Sequence, residues 1–578
     1  MDYVIIESVD GLRPYMPALQ KAGVMAADTE TTGLNPHSGR IRLIQLAAAG
    51  LPVVIIDCFK FLPAGADLLA EIMESSGVKV FQNAKFDLQF FMSLGINPAP
   101  IFDTMLAGQL LHSSGGPPRV NLAALAKHYL GEDVEKDEQK SDWRGELRPA
   151  QIEYAARDAL ILLRLREAMV MEIYANGLQS IARIEFSCVR AVAQMEYAGI
   201  GIDLARWSKL TAKIERDRDE ALETLYEYAG RPMTQMSLTG DGVVLNHNFD
   251  SNPYIVGILR DNGIEVDATS KRVLSAYSSH PLVKALSAYR KAAKALSGFL
   301  YPMPHMILPE TGRLHPRYGQ IGAWSGRMSC GGPNIQQIPR DAGFRACFAA
   351  PPGKKLVIAD YSQIEIRVAA QISGDGRMIK AYERGEDLHT LTASLVSEVP
   401  ASAVTAKQRQ AAKAVNFGLI YGMGAAGLQQ YAQQSYGVDM TPEQAAKFRD
   451  NFFNAYTGIA GWHRRIRAEK PVEERTISGR KFTFGQNPGV SVLYNTPVQG
   501  TAADIMKSAL GKIARKAKGT GVRIIAAVHD EILLEADESE SEAAAAMLKH
   551  QMELAGNEIL TAVPCVADVK IADDWSGK

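Results

Sequence analysis

Four acidic residues in the N-terminal third of the chain have the types and spacing expected of ligands for divalent cations. Asp28 and Glu30 follow an apolar strand-like run, and alternation along a strand puts such residues on one face. Asp87 follows a second apolar run, and Tyr154 and Asp158 are one helical turn apart. Mg²⁺ and Mn²⁺ prefer oxygen ligands, and a pair of them can activate water against a phosphodiester. Each acid alone would fit a solvated surface, but the set predicts a two-metal hydrolytic site in which the Tyr154 hydroxyl orients the water.

A second group of acidic residues closes two apolar runs in the C-terminal half. One run leads into Asp360, and the other leads into His529, Asp530 and Glu531. The first run predicts a buried central strand with Asp360 at its end, and the second predicts a hairpin with a charged tip. The charged tip alone would equally fit a solvated turn. An acid at the end of a buried strand is harder to explain structurally, so this end of the sheet is a candidate functional site.

The segment between these acids carries a cationic and aromatic face. Arg409, Lys413, Phe417 and Tyr421 follow one another at intervals of four residues, so they share one face of a helix. The stretch from Val399 to Val438 contains no Asp or Glu. Cations of this kind suit a triphosphate, and aromatic rings suit a nucleobase. A basic helix on an acidic partner surface is the structural alternative, which the spacing alone leaves open.

The hydrophobic pattern predicts the elements that position these residues. Short apolar runs alternate with turns and helical pieces in residues 1–110, which is typical of an α/β domain. The predicted strands of this domain are Val4–Ile6, Val24–Ala27, Ile41–Ala47, Val53–Ile56 and Val78–Phe81. Long helices are predicted over 150–176, 178–197, 204–230 and 281–299, and later strands over Lys355–Tyr361 and Val522–Leu534. The main domain boundary is predicted near 177–200.

The composition limits the class of protein. The 578 residues are 47% hydrophobic and 22% charged, which indicates a globular chain of several domains. A net charge of -1 means that any basic surface is local. The five cysteines are scattered and form no C-x-x-C pair, which excludes a disulfide framework and a recognisable zinc motif. With no signal peptide or membrane span in the sequence, we expect a cytoplasmic protein.

The motifs resemble those of two known protein families. D-T-E-T, N-x-K-x-D and Y-x-x-x-D, in this order over residues 20–175, resemble the DEDD-type 3′→5′ exonucleases that carry a tyrosine. D-Y-S-Q-I-E-I-R from Asp360, R-x-x-x-K-x-x-x-F-x-x-x-Y-G from Arg409 and V-H-D-E from Val528 are similar to family A DNA polymerases. The combination resembles the large (Klenow-like) fragment of the bacterial polymerase I type and covers nearly the whole chain.

The resemblance implies a role for each matched residue. The metal ligands would be Asp28, Glu30, Asp87 and Asp158 in the exonuclease and Asp360 and Asp530 in the polymerase, with Glu531 as an accessory carboxylate. The dNTP would be bound by Arg409, Lys413, Phe417, Tyr421, His389, Glu365 and Gln363. Lys413 would also be the general acid, and Glu365 would exclude a ribose 2′-hydroxyl. The primer-template would be contacted by Arg327, Asn495, Gln499 and His529. Between Pro281 and Pro309, the cations Lys284, Arg290, Lys291 and Lys294 would contact the phosphate backbone.

The implied architecture has two parts. A ribonuclease H-like exonuclease domain over 1–177 would precede a right-hand polymerase domain over 178–578, in a multidomain α/β and α+β chain. The thumb would span about 200–310, the palm about 311–375 and 490–578, and the fingers about 376–489. Each active site would hold two Mg²⁺, with Mn²⁺ as a substitute. The partners would be primer-template DNA and dNTPs, with no membrane. We expect a monomer, and a replisome or processivity partner is left open.

Two features depart from the family pattern. There is no room before Asp28 for a 5′-nuclease domain, and the connection between Lys481 and Asn495 is short and lacks arginine. The alternative function is a 3′→5′ exonuclease whose C-terminal half only binds primer-template DNA. A single-subunit RNA polymerase is a further alternative, against which Glu365 and the exonuclease motifs argue.

Overall fold

The computed structural model describes residues 1–112, 119–134, 138, 141–230, 235–236, 243–244, 247–486 and 488–577. In that part of the chain, no helix has the length and apolar character needed to cross a membrane.

A mixed sheet is the centre of the N-terminal part. Its strands are β1 (Tyr3–Ile6), β2 (Val24–Thr31), β3 (Ile41–Ala48), β4 (Val53–Asp57), β5 (Val78–Phe81) and β6 (Ile101–Asp103). The strand order is β1-β4-β3-β2-β5-β6, in which β3 is antiparallel to both neighbours and the other pairs are parallel. Successive residues of β4, such as Val54 and Ile55, belong to separate cores on the two faces. Both faces are therefore covered, which explains the continuous apolar runs in the sequence.

Helices pack on both faces of this sheet and continue beyond it. They are α1 (Val9–Leu12), α2 (Met16–Lys21), α3 (Cys58–Phe61), α4 (Ala66–Met73), α5 (Ala84–Ser93), α6 (Thr104–Leu111), α7 (Leu122–Leu130), α8 (Pro149–Ala175), α9 (Gln179–Ala198), α10 (Leu204–Ala229), α11 (Asn252–Asp261), α12 (Lys271–Leu274) and α13 (Pro281–Ala295).

A second sheet is the centre of the C-terminal part. The short paired strands before it are β7 (Gln235–Met236), β8 (Val243–Val244), β9 (Ile307–Leu308), β10 (Arg313–Leu314), β11 (Arg317–Gly319) and β12 (Ser329–Gly331). The remaining strands are β13 (Lys354–Tyr361), β14 (Glu473–Arg475), β15 (Lys481–Thr483), β16 (Arg523–Val528), β17 (Glu531–Asp537) and β18 (Ala567–Ala572). Strands β16-β17-β13-β18 form one antiparallel sheet, and β14 pairs with β15 in a separate hairpin.

The helices of the C-terminal part precede, separate and follow these strands. They are α14 (Ala342–Arg345), α15 (Ile364–Ser373), α16 (Gly376–Glu383), α17 (Leu388–Ser397), α18 (Ala406–Ile420), α19 (Ala425–Tyr436), α20 (Pro442–Ala455), α21 (Thr457–Glu469), α22 (Val490–Lys516) and α23 (Ser541–Ile559).

Helix α9 packs against the hydrophobic cores of both parts. Val189 and Ala193 belong to the core that contains the α5 side of the N-terminal sheet, whereas Ala191 and Val192 belong to the core around the C-terminal sheet. Adjacent residues of one helix thus face two cores. Helix α9 lies inside the predicted boundary region of 177–200.

Most of the predicted elements are confirmed, with two differences. Strand β2 continues to Thr31, so Asp28 and Glu30 lie within the strand and not beyond its end. Asp87, which follows the apolar run of β5 as predicted, lies in the first turn of helix α5. Helix α13 ends at Ala295 and continues as a π-helical segment to Leu300. Polar residues at a cavity wall interrupted the apolar run of β2, which made the strand look shorter than it is.

Candidate active sites

The predicted acidic residues of the N-terminal part line one cavity of about 760 Å³, here called the N-terminal acidic cavity. Three elements contribute: β2, helix α5 and helix α8. The predicted site residues in its wall are Asp28, Glu30, Asp87, Tyr154 and Asp158. Thr29 donates its hydroxyl hydrogen to Asp87 Oδ1 at 2.6 Å, which ties strand and helix together. The structure therefore brings together all five residues that the sequence pattern selected.

The carboxyl groups of this cavity share an environment that opposes their ionisation. Burial, followed by repulsion from Asp87, Glu30 and Asp158, raises the pKa of Asp28 well above its usual range. Burial raises the pKa of Glu30 to about 9, with repulsion from Asp158 and Asp87 adding to it. Burial also raises the pKa of Asp87 to about 7 and that of Asp158 to about 6. A bound cation would favour the charged form of these four acids and so lower their raised pKa values.

The donor set of this cavity fits divalent metal ions. All four acids offer oxygen, the ligand type that Mg²⁺ and Mn²⁺ prefer. The buried Oδ1 atom of Asp158 has no hydrogen-bond partner, although buried polar atoms normally have one. Among the described residues, no three His, Cys, Asp or Glu side chains already converge to the spacing of a bound ion. The fit therefore rests on the chemistry of the donors.

The predicted acids of the C-terminal part lie where the central strand meets a hairpin. Asp360 is near the end of β13 and lies opposite Glu531 of β17, and the Tyr361 amide donates to the Asp530 carbonyl at 3.2 Å. His529 and Asp530 form the turn between β16 and β17, and His529 adopts a left-handed conformation with a φ of 58°. Asp360, Asp530 and Glu531 line one cavity of about 420 Å³, here called the C-terminal acidic cavity.

The wall of this cavity also contains Arg340, Arg345 and Trp575, which the sequence pattern did not select. Arg345 Nη1 lies 3.3 Å from Glu531 Oε2, and Trp575 Nε1 donates to Glu531 Oε1. The guanidinium of Arg345 also lies over the Trp575 ring, 4.5 Å from its centre. These residues come from distant parts of the chain and from no shared motif, so no spacing signal could have identified them. Asp360 and Asp530 supply carboxylate oxygens in one cavity, which fits a divalent metal site.

An adjoining cavity of about 420 Å³ shares His529 and Asp530 with the C-terminal acidic cavity. Its other predicted site residues are Arg327, Gln363, Glu365 and Phe417. Arg327 and the Tyr421 hydroxyl each donate to one oxygen of the Glu365 carboxylate. Burial, followed by the negative charge of Glu365, raises the pKa of Tyr421 well above its usual range. The Gln363 amide oxygen accepts a hydrogen bond from the Tyr382 hydroxyl at 3.0 Å.

Helix α18 carries the predicted cationic face. It begins with a capping box between Thr405 and Gln408, and it ends at Ile420, so Tyr421 lies just beyond its last turn. Arg409 Nε donates to Asp387 Oδ2 at 2.7 Å. Although burial opposes this, hydrogen bonds from Arg409 and Thr390 hold the Asp387 pKa well below its usual range. Asp387 therefore fixes the Arg409 guanidinium, a role that sequence reasoning did not assign.

Helix α17 carries His389, one of the predicted dNTP contacts. Its side chain is buried, and its Nδ1 atom lies 2.9 Å from the Asn416 side-chain nitrogen. Burial lowers the pKa of His389 to about 4, and Arg409 and Lys413 add to this effect while Asp387 opposes it. The imidazole is therefore neutral near pH 7, so any contact with a phosphate would be a hydrogen bond and not an ion pair.

The remaining predicted contacts lie outside these cavities. Asn495 and Gln499 are one turn apart on α22, and Gln499 Nε2 donates to Asn495 Oδ1 at 3.3 Å. Of the predicted thumb cations, Lys284, Lys291 and Lys294 are exposed. Arg290 instead donates to the Thr269 carbonyl at 2.7 Å and also bonds the Thr269 and Asn252 side chains. These bonds orient the Arg290 guanidinium, and its contact with the phosphate backbone stays a prediction.

Comparisons with known proteins agree with this two-part organisation. Residues 3–174 match the family model described as 3′-5′ exonuclease, and residues 205–577 match the model of DNA polymerase family A. DNA polymerase I of Aquifex aeolicus is 32% identical over 100% of both chains. DNA polymerase I of Pseudomonas aeruginosa is 30% identical over 100% of this chain and 66% of its own length. The thermostable DNA polymerase I of Thermus thermophilus is 33% identical, but this chain spans about half of it (56%).

A solved structure has the same overall fold. The POL domain of Pol1 from M. smegmatis, in complex with DNA primer-template and dNTP, superposes with a TM-score of 0.82. It is 25% identical, and the match covers 100% of this chain and 99% of that one. Polymerase domains of family A and 3′-5′ exonuclease domains generally use divalent metal ions. The chain belongs to DNA polymerase family A, and it is a DNA-directed DNA polymerase that combines template-directed synthesis with 3′-5′ exonucleolytic proofreading.

Proposed function

We propose that the N-terminal acidic cavity is the proofreading site and that its four carboxylates hold two Mg²⁺, for which Mn²⁺ can substitute. Asp28, Glu30, Asp87 and Asp158 are the ligands, and the unpartnered Asp158 Oδ1 supports this assignment. Such ions supply activation of the attacking water and stabilisation of the leaving 3′ oxygen. The Tyr154 hydroxyl, one turn from Asp158 in the same wall, orients the water.

In the C-terminal acidic cavity, Asp360 and Asp530 hold the two Mg²⁺ of the synthesis reaction. The observation that carries this proposal is the convergence of both side chains on one cavity, at the end of a central strand and at the neighbouring hairpin tip. Glu531 is an accessory carboxylate, because Arg345 and Trp575 already occupy its oxygens. Bound there, divalent ions would favour attack by the primer 3′-hydroxyl and departure of pyrophosphate.

The incoming dNTP lies between helix α18 and the adjoining cavity. Arg409 and Lys413 bind its phosphates, and Lys413 donates a proton to the leaving pyrophosphate. Glu365 excludes a ribose 2′-hydroxyl, since Arg327 and Tyr421 hold its carboxylate in place. The other dNTP contacts are His389, Gln363, Phe417 and Tyr421.

Primer-template DNA contacts Arg327, Asn495, Gln499 and His529. These side chains donate to minor-groove acceptors, which are common to A·T and T·A pairs and so test pair shape without reading sequence. The M. smegmatis neighbour, whose structure contains primer-template and dNTP, supports both partners. The enzyme acts as a monomer in the cytoplasm, and a replisome or processivity partner stays an open prediction.

The domain bounds are proposed as predicted from the sequence. The exonuclease domain spans 1–177 and the polymerase domain 178–578, with the thumb at about 200–310, the palm at about 311–375 and 490–578, and the fingers at about 376–489. The two family matches, over 3–174 and 205–577, support this division. Part of the predicted thumb lies outside the described residues.

A primer-extension gel tests both active sites together. The wild-type protein receives Mg²⁺, four dNTPs and a 5′-labelled primer with a mismatched 3′ end on a longer template. We expect trimming of the mismatch, followed by a full-length product that carries the base specified by the template. If the protein shortens the mismatched primer but extends neither this primer nor a matched one, the assignment of the C-terminal acidic cavity is contradicted. A control reaction in EDTA should give neither product.

A further inference from the structure

Trp324 is a large apolar side chain held at the surface beside the adjoining cavity. The indole is 50% exposed, whereas the other four tryptophans, Trp143, Trp207, Trp462 and Trp575, are at most 4% exposed. Its ring lies 5.6 Å from the ring centres of both Phe482 and Phe484, which are buried. One side of the indole is thus anchored, and the rest faces solvent.

The backbone around Trp324 is fixed as well. The Ala323 amide donates to the Arg327 carbonyl at 3.0 Å, and the Gly326 amide donates to the Ala323 carbonyl at 2.9 Å, which closes a tight turn. Gly326 has a φ of 81°, and a Cβ there would lie 2.8 Å from Arg480 Nε, so glycine is required. The indole is therefore held on a rigid turn.

A buried ion network holds Arg480 under this turn. Arg480 Nε donates to Asp504 Oδ1 at 2.8 Å, and its Nη2 atom also bonds Glu185. Lys507 Nζ donates to Glu185 Oε1 at 2.6 Å, so two cations and two carboxylates, all at most 2% exposed, are paired with one another. An aromatic ring whose position is fixed before binding loses little conformational entropy when a ligand stacks on it.

The neighbours of Trp324 indicate nucleic acid as the ligand. Arg327, at the other end of the turn, lines the adjoining cavity together with His529 and Asp530. The hairpin of β14 and β15 beside the turn carries the partly exposed cations Lys481 and Arg475, which both pair with Glu473. An anchored aromatic ring beside cations is the combination that binds an unpaired nucleobase in single-stranded nucleic acid.

We propose that Trp324 is a stacking contact for an unpaired base of the template strand, just outside the base pair that is being formed. The proposal rests on the proposed function of the C-terminal acidic cavity, because that function places the primer end beside Arg327. A template base is favoured over a primer base, since the primer is paired up to its 3′ end and only the template continues beyond it. Stacking there would hold the next template base away from the active site until the current base pair has formed.

Tryptophan fluorescence of the wild-type protein tests the contact directly, because iodide reaches Trp324 and none of the four buried indoles. We expect a primer-template with a 5′ overhang to protect the emission from iodide. A template with an abasic residue at the first unpaired position should lose this protection. Unchanged iodide quenching with the intact overhang would overturn the proposal.

Binding measurements with variants give the second test. Trp324→Ala should weaken binding of the overhanging primer-template five- to tenfold and leave a blunt duplex unchanged, whereas Trp324→Phe should retain most of the affinity. An equal loss on both DNAs would indicate a duplex contact, and no loss would indicate that Trp324 only shields Phe482 and Phe484; either result overturns the proposal. Tyr174→Ala, which removes an exposed aromatic ring of helix α8 outside every cavity described above, is the matched control.

Thermal unfolding of Trp324→Phe should match that of the wild type, which separates binding from folding. Extension of a matched primer by the wild type is measured in the same series. If the wild type does not extend primers, the proposed function fails; if it does and Trp324→Ala binds normally, the stacking proposal alone fails.

Discussion

The two acidic cavities both gather carboxylates, but they differ in what surrounds those carboxylates. In the N-terminal acidic cavity the four acids face one another, and burial raises the pKa of each. Around the C-terminal acidic cavity, Glu531 is paired with Arg345, Glu365 with Arg327 and Asp387 with Arg409. The first cavity therefore opposes ionisation of its acids until cations bind there, whereas three acids in and around the second are paired with arginines of the protein itself.

Removing one metal ligand from each cavity should separate the two activities, and this is the largest effect we expect. Asp360→Ala should abolish synthesis, by about a thousandfold or more, and leave degradation intact, because a metal site supplies several kcal/mol to the transition state. Asp28→Ala should do the reverse. Primer extension and degradation of a labelled single strand measure the two activities.

Asp568→Ala is the matched control for Asp360→Ala. Asp568 lies opposite Asp360 on the neighbouring strand β18 but is exposed, so its removal should preserve synthesis. Loss of both activities in either ligand variant would contradict two independent sites.

Glu531→Gln should destabilise the protein by about 3–5 kcal/mol, because it leaves the buried Arg345 guanidinium without its counter-charge. Both side chains are at most 10% exposed, so water cannot replace the lost partner. Chemical denaturation measures the change. Lys355→Gln, which breaks ion pairs with the exposed Asp573 and Glu538, should cost less than about 1 kcal/mol. If the two variants lose the same free energy of unfolding, the buried pairing of Glu531 with Arg345 does not stabilise the protein.

Asp87→Asn should have the opposite sign and stabilise the protein by about 1–3 kcal/mol at pH 8.5 in EDTA. The asparagine can still accept the hydrogen bond from Thr29 but carries no buried charge. The Asp87 pKa is about 7 in the folded protein against an ordinary value of 3.8, so the folded state binds the extra proton. Its contribution is therefore lost as the pH rises from about 4 to about 7, and the variant should lack that part of the pH dependence.

Thermal unfolding from pH 4 to pH 8.5 tests this expectation, with and without Mg²⁺. Added Mg²⁺ should stabilise the wild type more than Asp87→Asn. If Asp87→Asn is less stable than the wild type at pH 8.5 in EDTA, the ionised Asp87 carboxylate does not destabilise the folded protein.

The smallest expected effect concerns buried histidine in the polymerase part. Burial lowers the pKa of His463 to about 4, from an ordinary value of 6.5. The unfolded chain binds the proton first, so this group's contribution is complete above pH 6.5 and is lost as the pH falls towards 4. His463→Gln should make the loss of stability over that range shallower, and His550→Gln, at an exposed site, should not. If the loss of stability with falling pH is unchanged in His463→Gln, groups other than His463 cause the sensitivity to acid.

The sequence was sufficient to predict the fold and the acidic residues of both cavities. The five predicted N-terminal strands were correct because strands covered on both faces of a sheet leave continuous apolar runs, as in Val53–Asp57. Strand β6 was missed because three residues carry no periodicity. The roles assigned to individual residues remain predictions.

The partners of the site residues could not be predicted in the same way. Arg345, Trp575 and Asp387 act through contacts between distant segments, and their spacing in the sequence carries no trace of those contacts. The buried state of His389 depends likewise on Asn416, which lies on a different helix. The local sequence pattern therefore identified the residue types of the sites, whereas tertiary packing determined the charge state of those side chains.

Helix α9 has a consequence for any attempt to exchange parts between related enzymes. Because Val189 and Ala193 face one core while Ala191 and Val192 face the other, a cut at either end of α9 leaves one core open. In a chimera of two related enzymes, α9 comes from the same parent as only one of the two parts. Its side chains are then mismatched to the core of the other part. Successful recombinants should therefore carry compensating changes on the foreign face of α9, and crossover points within this helix should be selected against.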